Sequence, residues 1–239
     1  MAEPAYVLHR RPYRETSLLL ELFTRHHGRM GVIARGGRRG RSPLAGLLQA
    51  FRPLSVDWSG RGELVTLIGA DPAGQLPQPA GNRLLHGLYA NELMMGFVAR
   101  GDPNEALFDR YERFVRELAG SSDRERLMRL FERDLLSLLG YDLGLTAEAD
   151  TGSPTEPDYW YRYELDRGLV RVAGPREQGT YAGRSLIELA RGELSNAASL
   201  RDARQLLGTA IAHYRVGKPP RSLQMLAALE KLEDRDDAD

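Results

Sequence analysis

Five short apolar runs, each closed off by turn-forming residues, fill the first third of the chain and restrict it to a small β unit. They lie at residues 5–9, 17–23 ("SLLLELF"), 30–35 ("MGVIAR"), 53–58 ("PLSVDW") and 63–68 ("ELVTLI"). Pro12, the "HHG" at 26–28, the "GG" at 36–37 and the "SGRG" at 59–62 supply the turns. Between the third and fourth runs, "PLAGLLQAF" (43–51) sets Leu44, Leu47, Leu48 and Phe51 on one helical face behind Pro43, a residue suited to a first helical turn. Five strands with a helix between the third and fourth is the layout of an OB-fold barrel.

"DPAGQLPQPAGN" (71–82) breaks both periodicities and marks a boundary, giving an OB-fold domain over residues 1–78 and a second domain over 79–239. The second is mainly helical. Helical patterns run over 83–100, 104–120 and 121–140, and Ser122 with Glu125 forms a helix-start signature. Residues 141–182 break the helical texture with a loop at 150–158 and a hairpin over 159–173 that turns at Asp166, Arg167 and Gly168. Helices are expected again at 184–191, 199–216 and 219–232, before an acidic tail. The fold class is therefore α+β: an N-terminal OB-fold β-barrel, then a mainly α-helical domain with a small β-hairpin insertion.

Charge separates along the chain although the total of 33 basic and 33 acidic residues balances. Residues 1–70 hold 11 arginines against 5 acidic groups, or +6, and the remainder carries −6. Such segregation suggests an N-terminal unit facing a polyanion. The excess of arginine over lysine, 31 to 2, is also what a G+C-rich genome produces and carries no functional argument.

No transmembrane stretch or signal-peptide pattern is visible, which makes the cytoplasm the expected location. With no cysteine, neither disulfides nor thiolate metal sites can form. The glycine-rich "ARGGRRGRS" lacks the Lys-Ser/Thr ending of a P-loop. His26 and His27 read as a solvated turn, His86 and His213 as core or boundary residues, and Glu92, Glu132 and Asp134 as ion-paired helix surface. We therefore expect no catalytic residues, no metal and no cofactor.

The binding candidate is the arginine turn of Arg35, Arg38, Arg39 and Arg41. Guanidinium groups meet phosphates by charge and paired hydrogen bonds, and glycines let the backbone follow a strand closely. Arg10, Arg11, Arg14, Arg25, Arg29 and Arg61 lie in the same domain and could extend a basic face. Tyr6, Tyr13, Phe23 and Trp58 could offer stacking surfaces, although strand aromatics are more often core. A generic nucleic-acid-binding OB module with a helical interaction domain, acting on RNA for example, is the alternative; a hydrolase using the helical carboxylates lacks any supporting motif.

"YVLHRRPYRETSLLLELFTRHHGRMGVIARGGRR" followed by "GLLQAFRPL" resembles the RecO family of bacterial recombination mediators. The likeness continues through "LYANELM" (88–94), "LFERDLLSLLGYDL" (130–143) and "GKPPRSLQML" (217–226). It implies binding of single- and double-stranded DNA, annealing of complementary strands, and contacts with RecR and single-stranded DNA-binding protein that help load RecA. It also implies a cytoplasmic, nucleoid-associated protein. By resemblance Arg129 falls where the family has an arginine implicated in binding the acidic tail of single-stranded DNA-binding protein. Arg126 and Arg133 join it by proximity, and Leu130 lies on the adjoining face. Two departures stand out. Ala50 replaces a frequent proline, and residues 148–175 hold none of the four zinc-binding cysteines of many members, so the hairpin should be held by packing around Tyr159, Trp160, Tyr161 and Tyr163.

Overall fold

The computed structural model describes residues 2–38, 43–75, 78–173, 179–226 and 228. Strands β1 (Glu3–Tyr13), β2 (Ser17–Thr24) and β3 (Gly28–Ala34), helix α1 (Pro43–Leu47), and strands β4 (Leu54–Ser59) and β5 (Leu64–Pro72) follow in sequence. They close into a barrel of order β1-β2-β3-β5-β4, in which β3 and β5 are parallel and the other pairs antiparallel. This is the OB-fold layout anticipated from the strand spacing. Alternate residues of each strand point inward. Val7, Leu18, Leu20, Leu22, Val32, Val56 and Val65 thus meet in one core, which Leu48 just beyond α1 also joins.

Two features of β1 depart from the sequence expectation. The strand runs through Pro12 instead of turning there: β4 pairs only with Glu3–Ala5 and Val7 bridges Ala50, so β1 around Pro12 has β2 as its one paired strand, and proline is tolerated on such an edge. A register shift between Val7 and His9 makes Leu8 the extra residue of a bulge. Its carbonyl accepts from Asn91 Nδ2 at 2.9 Å, and Asn91 Oδ1 accepts from Tyr111 Oη at 2.6 Å.

Asn91 belongs to α2 (Asn82–Phe97) and Tyr111 to α3 (Glu105–Gly120), which is started by Asn104 accepting from Leu107 N. These helices cover the outer side of β1 and β2. Tyr6 and Phe23 pack edge-on or tilted against Phe108 and Tyr111 with ring centroids 5.2–6.3 Å apart. That is why "SLLLELF" shows no inside–outside alternation: both faces of β2 are covered. Gly28 (φ 67°) opens β3 where the chain passes the Asp102 backbone, and a Cβ there would overlap it.

The chain divides into two compact units, one comprising residues up to Ser122 with those from Val216 onward, the other Asp123 to Arg215. α2 and α3 cluster with the barrel. The second unit holds α4 (Arg124–Leu138), a three-stranded sheet of β6 (Trp160–Glu164), β7 (Gly168–Val172) and β8 (Thr180–Ala182) in the order β7-β6-β8, α5 (Gly183–Arg191) and α6 (Ala197–Tyr214). Asp123, not Ser122, caps α4 by accepting from Arg126 N at 3.0 Å; its carboxylate is an equally good acceptor one residue later. The expected hairpin is β6 (Trp160–Glu164) with β7 (Gly168–Val172). A third strand, β8 (Thr180–Ala182), adds to the other edge of β6; three residues are too few to show a period. Residues 221–226 are helical within the expected 219–232 segment, whose end and acidic tail lie outside the described residues.

Candidate nucleic-acid interface

The β1–β2 turn and the turn after β3 are fastened to one another at one end of the barrel. Arg14, in the left-handed region at φ 52°, begins the first turn. Arg38 donates its backbone N–H to Thr16 O at 2.9 Å and its Nη1 to the carbonyls of Arg14 and Glu15 at 3.1 and 3.4 Å. Gly37 closes the second turn by donating to Ala34 O, and a Cβ on it would crowd Leu18. The outcome is a cluster of exposed Arg14, Arg35 and Arg38, interrupted only by Glu15 among the described turn residues. Arg39 and Arg41 lie outside the described residues.

Strand alternation sorts the neighbouring candidates. Arg11 stands opposite Leu19, which is opposite Ile33, on the outward face. Tyr13 shares that face two residues on, about 7 Å away, with the Arg14 guanidinium 5.3 Å from its ring centroid. Arg10 has the opposite parity. It turns toward the α1 end and donates Nη1 to Leu48 O at 3.2 Å. Arg61 sits in the β4–β5 turn, toward the Gly28 end of β3, because parallel pairing aligns Leu64 with Gly31. One continuous basic face including Arg10, Arg11 and Arg61 is therefore not formed.

Arg25 and Arg29 do not contribute to a free face either. Arg25 binds Asp109 with both terminal nitrogens and Glu105 with Nε. Arg29 donates to Met95 O at 2.9 Å, and burial holds its guanidinium below the ordinary range. Among the stacking candidates, Tyr6 and Phe23 are core. The Tyr6 hydroxyl, pushed up first by burial and then by Glu112, donates to Glu112 Oε1. Trp58 packs edge-on to His27 at 5.0 Å, at the end of the barrel away from the arginine cluster. Tyr13 is the one of the four that stands beside the cluster. Composition could count Arg14 but not place it; the turn pairing made by Arg38 does.

In the second unit, Arg126, Arg129 and Arg133 do share a face of α4, and in this unit that face meets α5. Arg133 donates Nη1 to Leu189 O and Ala190 O, and Arg126 donates Nη2 to Gly192 O, so both occupy carbonyls at the C-terminus of α5. Arg129 is buried and bonded at 3.0 Å to Glu132, itself 1% exposed, which corrects the expectation that Glu132 is surface. Leu127, Phe131 and Leu135 are core, while Leu130 is half-buried against Gly192. Glu92 accepts from Ser222, and His213 is an exposed partner of Asp166 rather than a core or boundary residue.

The hairpin region is held by ion pairs as well as packing. Arg171 bonds Glu148 and Glu156 and lies 3.9 Å above the Tyr159 ring centroid. Arg167 ties the hairpin tip to Asp150. Tyr161, fully buried, accepts from Glu156 N at 2.9 Å. Among the described residues no group of three or more His, Cys, Asp or Glu side chains is arranged to hold a metal ion, and no helix is long and apolar enough to cross a membrane.

A five-stranded OB-type barrel with an arginine cluster at one end, joined to a helical region with a small sheet, defines a class of two-part proteins built around an OB-type barrel. The family comparisons narrow the class. "Recombination protein O N terminal" matches residues 1–76 and "Recombination protein O C terminal" matches residues 78–224. The DNA repair protein RecO of Nitrosococcus oceani is 46% identical over 231 residues, covering 96% of this chain and 94% of that protein. Its namesakes from Aromatoleum aromaticum and Dechloromonas aromatica are 42% and 40% identical, with 96% and 97% of both chains covered. The chain belongs to the RecO family.

Proposed function

We propose that this protein is a non-enzymatic mediator of DNA repair and recombination. In this reading it binds single- and double-stranded DNA, anneals complementary strands, and acts with RecR to load RecA onto DNA coated by single-stranded DNA-binding protein, in the cytoplasm at the nucleoid. Family membership supports the repair and recombination role, since the relatives carry the name DNA repair protein RecO. The observation that carries the DNA contact is the fastening of the two turns by Arg38, which gathers Arg14, Arg35 and Arg38 at one end of the barrel beside Arg11 and Tyr13. Guanidinium groups there meet backbone phosphates without regard to sequence, and Tyr13 supplies a ring for an unpaired base.

The proposed contact for the acidic tail of single-stranded DNA-binding protein is the α4–α5 junction. Arg126 is exposed there, Leu130 is half-buried, Arg133 ties α4 to the end of α5, and Arg129 is paired with Glu132 within α4. The decisive experiment is annealing of complementary strands, bare and coated with single-stranded DNA-binding protein. A mediator anneals both. A generic OB-fold binder anneals bare strands at most and stalls on coated ones, an outcome that would retire the mediator reading.

A further inference from the structure

In the second unit the loop after α4 meets the tip of the β6–β7 hairpin and the end of α6 around a cleft of about 370 Å³. Tyr141, Asp142, Tyr163, Asp166, Arg167 and Tyr214 line it. The Tyr141 and Tyr214 rings stack at 4.8 Å with 29° between their planes, and Tyr141 is 37% exposed. Tyr163 is half-buried; burial first, then Tyr214 and the carboxylates of Asp166 and Asp142, push its hydroxyl far above the ordinary range, so it stays a neutral phenol.

Carboxylates complete the lining. Asp166 occupies the hairpin tip at φ 61°, accepts from Tyr214 Oη at 3.0 Å, and is approached by His213 at 3.3 Å while its side chain remains 69% exposed. Asp142 is exposed and accepts from Gly144 N. The guanidinium in the lining, Arg167, is already matched by Glu164 and Asp150. The DNA-binding reading uses none of these groups.

We propose that this cleft receives an arginine side chain from a partner protein. Tyrosine rings attract a cation, and a planar guanidinium can stack on a ring while giving paired hydrogen bonds to a carboxylate, which lysine cannot. A nucleotide could stack on the same rings, but its phosphate would face Asp142 and Asp166. An apolar side chain would strip water from those carboxylates without replacing it. Exposed cation–ring contacts contribute only about 0.5–1 kcal/mol each. With a charge-assisted hydrogen bond added, the arginine side chain alone should bind at about the millimolar level, within reach of a titration, and the surrounding partner chain supplies the affinity of the full complex.

The test is a nuclear magnetic resonance titration of the full chain with capped Gly-Arg-Gly, Gly-Lys-Gly and Gly-citrulline-Gly peptides. Arginine should give saturable shifts confined to residues 140–144, 163–168 and 213–214. It should bind at least about threefold tighter than lysine, and neutral citrulline should give no saturable shift. Asp142→Asn with Asp166→Asn should weaken arginine binding about fivefold at an unchanged melting temperature, since asparagine tolerates the left-handed backbone of position 166. Should that double variant unfold, Tyr141→Leu keeps both carboxylates and must weaken arginine binding as well. The idea is overturned if citrulline matches arginine, if the shifts map elsewhere, if dAMP binds the cleft more tightly, or if no peptide saturates.

Discussion

Glu3 shows how a single buried carboxylate can tie the start of β1 to a turn. It is 6% exposed, accepts from His26 N at 2.7 Å and meets His26 Nδ1 at 3.1 Å, with His27 at 3.6 Å. Burial alone would raise it, but the two hydrogen bonds from His26 and the nearby imidazoles outweigh burial and hold it below its ordinary value of 4.5. A depressed carboxylate stabilises the fold fully above its unfolded value and loses that contribution as pH falls through the folded one. Glu3→Gln should therefore cost about 1.5 kcal/mol at pH 7. The gap between parent and variant melting temperatures should close as pH drops below about 4.5. Parallel melting curves down to pH 3 would show that Glu3 makes no such contribution.

Among the elements, the hairpin β6–β7 and helix α4 carry the sharpest expectations. Arg171 bridges Glu148 and Glu156 against the face of Tyr159, linking the hairpin to the loop before it. Arg171→Met keeps the aliphatic stem but removes both ion pairs, and should lower the melting temperature, more so at low salt. Because the chain has no cysteine, elemental analysis should find no stoichiometric zinc, and chelators should leave the melting temperature unmoved; a bound zinc ion would contradict this account of the segment. On α4, Arg126→Ala should weaken binding of the acidic tail peptide by on the order of 1.5 kcal/mol with bare-DNA binding intact. Arg129→Ala withdraws the guanidinium bonded to the buried Glu132 and should cost about 3 kcal/mol of stability. Tail affinity unchanged in Arg126→Ala would remove the α4–α5 junction as the site.

At the scale of the whole molecule, charge balance conceals a basic barrel, and DNA binding should depend steeply on salt despite a net charge of zero. Every phosphate left without its arginine should reduce the slope of log affinity against log salt by about 0.7–0.9. Arg14→Asn, suited to the left-handed backbone, and Arg35→Ala test this without loosening the turns, as replacing Arg38 would. Affinity and slope both at parent values would mean that the cluster is merely solvated. Much of the architecture could be read in advance, because periodicity, proline and glycine act locally: the five strands, the helix between β3 and β4, α2 to α6, and the hairpin turn at Asp166 to Gly168. Partnership could not. Tyr6 and Phe23 are buried because α3 covers β1 and β2, Arg25 turns to Asp109, and Arg126 and Arg133 meet the carbonyls ending α5, all long-range interactions with no local signature. The order of residues determined which segments became strand or helix and how much positive charge the barrel carries. Only tertiary packing decided which arginines bind the protein's own backbone and carboxylates and which face outward, since that choice depends on acceptors that folding brings from distant parts of the chain.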